Sequence, residues 1–316
     1  LAKEILMQRI QYHRYGGPEE MRLEEVALPQ PGPGEVRVRV MAAATNPADG
    51  KLRAGMLSLV SGSKFPRGLG HDFAGVVDAI GPGVTTRKVG DEVYGISGIR
   101  PAGAFADYLI VAEKQAYPKP RSVSFEVAAA IPMASVTAWS AVVDRAALRA
   151  GQSVFIVGCL GGLGRAAVQI ALMRGGEVVG SCSAADREAA RALGVSEVAD
   201  YRTFDPKAYR GRFDLVFDTP GALTVSQCDS MLKPGGVAVH AVPSPARLAA
   251  ALLPRHALAS GNPNPSGMAG ITEAAEQGKL IPNIARTVPL SEAIPALTEQ
   301  ETTGLPKGKL VIVPAH

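Results

Sequence analysis

The residues best suited to chemistry lie in the middle of the chain. Ser153-Val154-Phe155-Ile156-Val157 reads as an apolar strand and runs into Gly158-Cys159-Leu160-Gly161-Gly162-Leu163-Gly164, after which Arg165 to Met173 carries helical patterning. A helix that opens on a glycine turn presents unpaired N–H groups and about half a positive charge. Gly158, Gly161, Gly162 and Gly164 let an anion approach the backbone closely, so the turn around Leu163 suits a pyrophosphate. Leu163, Ala167, Ile170 and Ala171 form the stripe that this helix buries. An ordinary strand-to-helix packing turn is the plainer alternative, and the repeated strand and helix units around it argue for the nucleotide.

In such a fold the end of the second strand selects the nucleotide, because an acid there bonds the ribose hydroxyls and repels a 2′-phosphate. That end reads Val178-Val179-Gly180-Ser181-Cys182-Ser183, without an acid. Ser181, Ser183 and Arg187 offer hydroxyl and guanidinium donors, which favours NADP, although Asp186 counts against it. Arg187 reads equally well as a solvated helix residue.

These groups need elements to position them, and 316 residues are enough for two domains. With 47% apolar and 20% charged residues the chain can bury a core. Its net charge of +4 is scattered, so no nucleic-acid partner is expected. Cys159, Cys182 and Cys228 are too few and too far apart for a disulfide framework or a CxxC metal knuckle, which points to a reducing cytoplasm. The most apolar run, Val127 to Val143, is broken by Pro132 and falls short of a membrane span. Residues 1–6 precede Met7, read as leader sequence and are given no function.

The N-terminal third reads as a small β-barrel. Glu35-Val36-Arg37-Val38-Arg39-Val40 alternates after a proline and glycine turn, and Phe73 to Ile80, Asp91 to Tyr94 and Phe105 to Val111 are further strands. From Phe125 two helical stretches extend to Ala150. Strands at Ser153–Val157, Glu177–Ser181, Glu197–Ala199, Asp214–Phe217 and Val237–Val242 then alternate with helices, the pattern of a parallel sheet. Pro254 to Pro265 reads as loop, Met268 to Gln277 as a short helix, and Leu310 to Val313 as a strand that returns to the barrel.

The glycine turn, Asn46-Pro47-Ala48-Asp49-Gly50-Lys51-Leu52-Arg53-Ala54-Gly55 and Asp200-Tyr201-Arg202 resemble the zinc-free, zeta-crystallin-like quinone oxidoreductases of the medium-chain dehydrogenase/reductase superfamily. The likeness runs nearly end to end, through PQPGPGEVRVRV, GHDFAGVVDAIGPGV, GAFADYLIV, IPMASVTAWSAV, MLKPGGVAV and GKLVIVP. It implies an α/β protein with a GroES-like β-barrel catalytic domain at 1–125 and 282–316. A Rossmann doubly wound parallel sheet is inserted at 126–281, with a cleft where nicotinamide meets substrate.

Alcohol dehydrogenases among the relatives hold zinc with a Cys, a His and a further Cys or acid. Asn46 and Ala134 stand where two of these ligands would be, and His71 alone remains. One imidazole cannot close a tetrahedral site, so no metal is expected and His71 reads as a packed or hydrogen-bonded residue. Without a metal, reduction of a quinone or of a conjugated C=C is the natural chemistry, since it needs only hydride delivery and stabilisation of an enolate.

The resemblance therefore implies an NADPH-dependent quinone or enone reductase. Asn46 and Lys51 would lie at the carbonyl, Thr137 against the nicotinamide, and Tyr201 near the adenosine phosphate. Two readings of Lys51 stand: proton donor, or bond to the nicotinamide ribose with solvent as the acid. Tyr201 reads equally as a strand-end packing residue. A homodimer is implied, but 243–278 is short relative to relatives, where that stretch often builds the dimer edge. The alternative function is a non-catalytic NADPH-binding protein of crystallin or adaptor type. A short-chain reductase, a serine hydrolase and a P-loop enzyme fall away, because no Tyr-x-x-x-Lys, Gly-x-Ser-x-Gly or Walker loop occurs.

Overall fold

The computed structural model describes residues 5–99, 102–304 and 307–315, so residues 1–4 of the expected leader lie outside it. The chain forms two compact units. One takes in the chain up to Met133 and again from Pro282, and the other runs from Ala134 to Ile281.

The first unit is β-rich. Glu35–Ala44 buries Val36, Val38 and Val40 and leaves the residues between them half-buried, as its alternation requires. This strand is the hub of a seven-stranded sheet, pairing antiparallel with Asp72–Ile80, with Tyr108–Ala112 and, at Ala43 and Ala44, with Lys309–Val313. One strand with three partners folds the sheet over itself into a barrel. Ile10, Phe73, Val77, Phe105, Leu310 and Ile312 are among the side chains that fill it.

The C-terminal strand thus returns to the barrel, and it begins at Lys309. The helix Pro47–Arg53 is held from the same side. Arg53, 2% exposed, makes two parallel bonds of 2.9 and 2.7 Å to Glu301 on the helix Ala293–Thr303.

The second unit is a six-stranded, all-parallel sheet. Across the sheet the strands run Glu197–Asp200, Glu177–Cys182, Ser153–Val157, Phe213–Asp218, Leu232–His240 and His256–Leu258. In chain order this is 3-2-1-4-5-6, the doubly wound arrangement in which ligands bind beyond the strand ends where the order reverses. Ser153–Val157 and Phe213–Asp218 flank that reversal, and the glycine turn leaves the first of them.

Three differences from the sequence reading have physical causes. The stretch expected as loop contains the edge strand His256–Leu258, whose three residues are too few to show a period. The strand before it starts at Leu232, which pairs with Phe213, and Lys233-Pro234-Gly235-Gly236 take up a shift of register before Val237 pairs with Leu215. Pro265–Glu276 starts three residues early, since Asn264 caps it by accepting from the Gly267 N–H at 2.7 Å. Among the described residues no helix is long and apolar enough to cross a membrane.

The edge strand is joined to its neighbour by two buried imidazoles. His240 and His256 stack 5.5 Å apart, their ring nitrogens 3.2 Å from each other, and His256 Nε2 donates to Asp229 at 3.2 Å. Burial, then the facing His256, pushes His240 down to about 4. Because that lies below the ordinary value of 6.5, the unfolded chain takes up a proton that the folded chain refuses. The stability due to a neutral His240 is present above pH 6.5 and lost as pH falls toward 4, on the order of 3 kcal/mol in all. Urea unfolding followed across this window will show that loss, and His240→Leu will flatten it.

Candidate active site

In the second unit the turn is built around two glycines. Gly158 has φ +69°, which favours glycine, and a Cβ on Gly164 would lie 2.1 Å from the Gly158 carbonyl oxygen. This close approach seats the helix Gly162–Met173 directly on the strand. Gly161, the N-cap, and Gly162 are exposed, and a Cβ on Gly162 would meet nothing. The first N–H groups of the helix therefore front open space, as a cradle for pyrophosphate requires. Leu163 is half-buried at the same turn.

Ser181 is buried, and its hydroxyl accepts the Gly158 N–H at 3.1 Å, so it braces the turn. Ser183 is half-buried, with its hydroxyl donating to Asp186. Arg187 is exposed. Tyr201 is 56% exposed, is tied to Cys182 O through its N–H at 3.1 Å, and carries the Arg202 guanidinium 5.4 Å from its ring centroid. The loop after Phe213–Asp218 is knitted by Asp218, whose oxygens accept from the N–H groups of Gly221, Ala222 and Leu223 and from Arg247. Thr137 is half-buried on the helix Pro132–Trp139. Burial pushes the Cys159 and Cys228 thiols up to about 12, so neither is a nucleophile at neutral pH.

In the first unit Asn46 is the N-cap of Pro47–Arg53, and Asp49 closes the capping box by accepting the Asn46 N–H at 2.7 Å. The Asn46 amide nitrogen donates to Asp72 at 2.9 Å, and its oxygen accepts from Lys309 at 2.9 Å. Lys309 also reaches Asp72 at 2.6 Å, while the other Asp72 oxygen accepts the Met133 N–H at 3.0 Å. Burial pushes Asp72 above the usual carboxylate range, against the pull of Lys309 and Asn46. His71 lies in the same network, its Nδ1 2.6 Å from Asp49. Lys51 is exposed on the helix that Asn46 caps.

The structure thus brings Asn46 into a network with Asp49, His71, Asp72 and Lys309, and it gathers the turn with Ser181, Ser183 and Tyr201 at one end of the parallel sheet. The sequence reading assigned no part to Asp49, Asp72, Lys309 or Arg202. Asp49 carried a signal, the Asn-x-x-Asp spacing of a capping box. Lys309 carried none, since it bonds Asn46 across 263 residues.

The donor set does not suit zinc. Asn46 already accepts an ammonium, Asp72 is taken up by three donors, and a second cation beside Lys309 would be repelled. A second group, Asp218, Cys228 and His240, has ligand atoms within 4.8 Å of one another among the described residues. There the four bonds already made to Asp218 exhaust its lone pairs.

Residues 32–121 match the alcohol dehydrogenase GroES-like domain family, and residues 193–312 the zinc-binding dehydrogenase family. The chain is 31% identical to a 2-methylene-furan-3-one reductase from Solanum lycopersicum, over 96% of this chain and 78% of that protein. It belongs to the medium-chain dehydrogenase/reductase superfamily, in its quinone oxidoreductase branch. An NADPH-dependent alkenal/one oxidoreductase of Arabidopsis thaliana chloroplasts is 33% identical over 70% of this chain and 58% of its own. The solved quinone oxidoreductase from Coxiella burnetii superposes with a TM-score of 0.89 at 28% identity, covering 98% of this chain and 99% of that one.

This branch member is an oxidoreductase with a GroES-like barrel and a Rossmann sheet, and it uses a nicotinamide nucleotide. Its site residues depart from the zinc-binding label of its second family, as the Lys309 contacts explain. Removing that ammonium leaves a buried carboxylate uncompensated, so Lys309→Met should cost about 3–5 kcal/mol in urea unfolding. Adding Asp72→Asn should restore most of the loss.

Proposed function

We propose that this protein is a metal-independent, NADPH-dependent reductase of quinones or of the C=C bond of α,β-unsaturated carbonyl compounds. The observation that carries the reading is the Lys309 ammonium bonded to both Asn46 and Asp72, a fixed cation where alcohol dehydrogenases would need a metal. Relatives named for quinone, furanone and alkenal/one reduction support the substrate class.

The bound nucleotide supplies hydride. The residues that would hold it are the backbone N–H groups of Gly161, Gly162 and Leu163 for the pyrophosphate, with Gly158, Gly164 and Ser181 shaping the turn. Tyr201, Ser183, Arg187 and Arg202 serve the adenosine end, where two guanidinium groups favour a 2′-phosphate over the opposing Asp186. Thr137 contacts the nicotinamide, and Lys51 bonds its ribose.

Asn46 is an electrostatic catalyst. Its amide nitrogen carries two hydrogens, one of which is held by Asp72. The other donates to the carbonyl oxygen as negative charge develops there, and Lys309 on the Asn46 oxygen strengthens that donor. We assign substrate binding to residues 1–125 with 282–316 and nucleotide binding to 126–281, and we place the protein in the cytoplasm as a homodimer.

The test is NADPH oxidation by a matched panel. Quinones and enones should be reduced, saturated alcohols should give no NADPH from NADP, and a chelator should change neither result. Turnover that depends on metal, or nucleotide binding without turnover of any quinone, enone or enal, would reject the reading; the second result favours the non-catalytic binding protein. Arg187→Ala should weaken NADPH about tenfold and leave NADH unchanged, measured by fluorescence titration.

A further inference from the structure

The parallel sheet divides, where its strand order reverses, into two halves of three strands. In this arrangement each half takes one mononucleotide of a dinucleotide. The half built on Ser153–Val157, Glu177–Cys182 and Glu197–Asp200 carries the glycine turn and Tyr201. The nicotinamide mononucleotide then falls to the half built on Phe213–Asp218, Leu232–His240 and His256–Leu258, at the carboxyl ends of its strands.

Two loops leave those ends, residues 219–224 after the first strand and 241–244 after the second. Both close on one side chain. The Arg247 guanidinium, 11% exposed, donates from Nη2 to Gly221 O at 2.7 Å and Leu223 O at 2.9 Å, and from Nη1 to Val242 O at 3.2 Å. Its approach to the buried Asp218 carboxylate is longer, 3.3 Å, and Asp218 takes its other donors from the backbone of Gly221, Ala222 and Leu223. The shortest bonds of the guanidinium thus go to the loops. Gly221 lets the two loops meet, since it has φ +79° and a Cβ there would lie 2.8 Å from Arg247 Nη1 and 3.1 Å from Val242 Cβ.

A loop that leaves a strand is ordinarily mobile, with carbonyls turned to water. Here three carbonyls turn inward onto one cation, while Pro220, Ala222 and Pro243 stay exposed. The first loop is also tied to the glycine turn, because Thr219 Oγ1 donates to Val157 O at 2.7 Å. One guanidinium therefore fixes both loops against each other and, through Thr219, against the seat of the pyrophosphate.

We infer that Arg247 is the positioning residue for the nicotinamide half of the nucleotide, holding in one geometry the two loops that flank that half without touching it. This deepens the function proposed above and rests on it. The planar fork of arginine reaches carbonyls of both loops at once, whereas a lysine keeps the charge beside Asp218 but loses the fork. Without the fork the loops spread, and binding of the nicotinamide carries the cost of ordering them. The adenosine half, held by the other three strands, is unaffected.

The test compares NADPH with adenosine 2′,5′-bisphosphate, which has the adenosine phosphates and no nicotinamide. In Arg247→Lys the NADPH dissociation constant should rise about tenfold, while that of the bisphosphate stays within about twofold of wild type. An unchanged NADPH constant would overturn the inference, and so would parallel weakening of both ligands, which is what general loosening of the unit produces. Wild-type protein gives a second measurement that needs no variant to fold. NADPH should slow amide hydrogen exchange in residues 219–224 and 241–247, and the bisphosphate should not; equal exchange with the two ligands would overturn the inference alone. A wild type that binds no NADPH would overturn the functional reading and this inference with it.

Discussion

Two carboxylates are sealed inside the barrel unit, and the fold around the site follows from the need to compensate them. Asp72 is fully buried and Asp49 nearly so. Each requires a cation and a full set of donors, because an isolated buried charge is far more costly than the folded state can bear. Lys309 arrives from the other end of the chain to meet the first, and His71 meets the second. This explains why the C-terminal strand must return to Glu35–Ala44, since its first residue supplies the ammonium. It also explains why Asn46 is so closely held, with its backbone, amide nitrogen and amide oxygen each bonded to one of these groups.

The same network accounts for the chemistry. A metal-dependent dehydrogenase concentrates positive charge in one ion, whereas here an ammonium and an imidazole are each tied to a buried carboxylate. Such an arrangement cannot ionise an unactivated alcohol. It can stabilise a developing enolate or hydroquinone anion through oriented N–H donors that cost no reorganisation at the moment of reaction. The nucleotide-binding unit is built by a complementary economy of side chains. Backbone N–H groups at a helix start front open space, and Ser181 and Asp218 bond the backbone of the loops that follow the two central strands.

Much of this was legible because it is local. The glycine turn announces itself within seven residues, since only glycine fits Gly158 and the contact at Gly164. The alternation of Glu35–Val40 marks its buried face, and the branch resemblance supplied the barrel, the sheet and the absence of a zinc ligand set. What was not legible is long-range. No pattern near Asn46 indicates that Lys309 will bond it, or that Asp49 is the partner of His71, which read as packed or hydrogen-bonded and is both. Nor was the local bond of Ser181 legible. Its hydroxyl looked free in sequence, but the strand turns it inward onto the Gly158 N–H.

The central claim is that hydride passes from a nicotinamide to an activated acceptor with protein cations alone. Its most direct test is mass spectrometry of the product after incubation of metal-depleted protein with an enone and NADPH deuterated at C4. The account predicts one deuterium on the β-carbon of a saturated ketone, at a rate that added zinc does not raise. Unlabelled product, or incorporation only after zinc is restored, would contradict it.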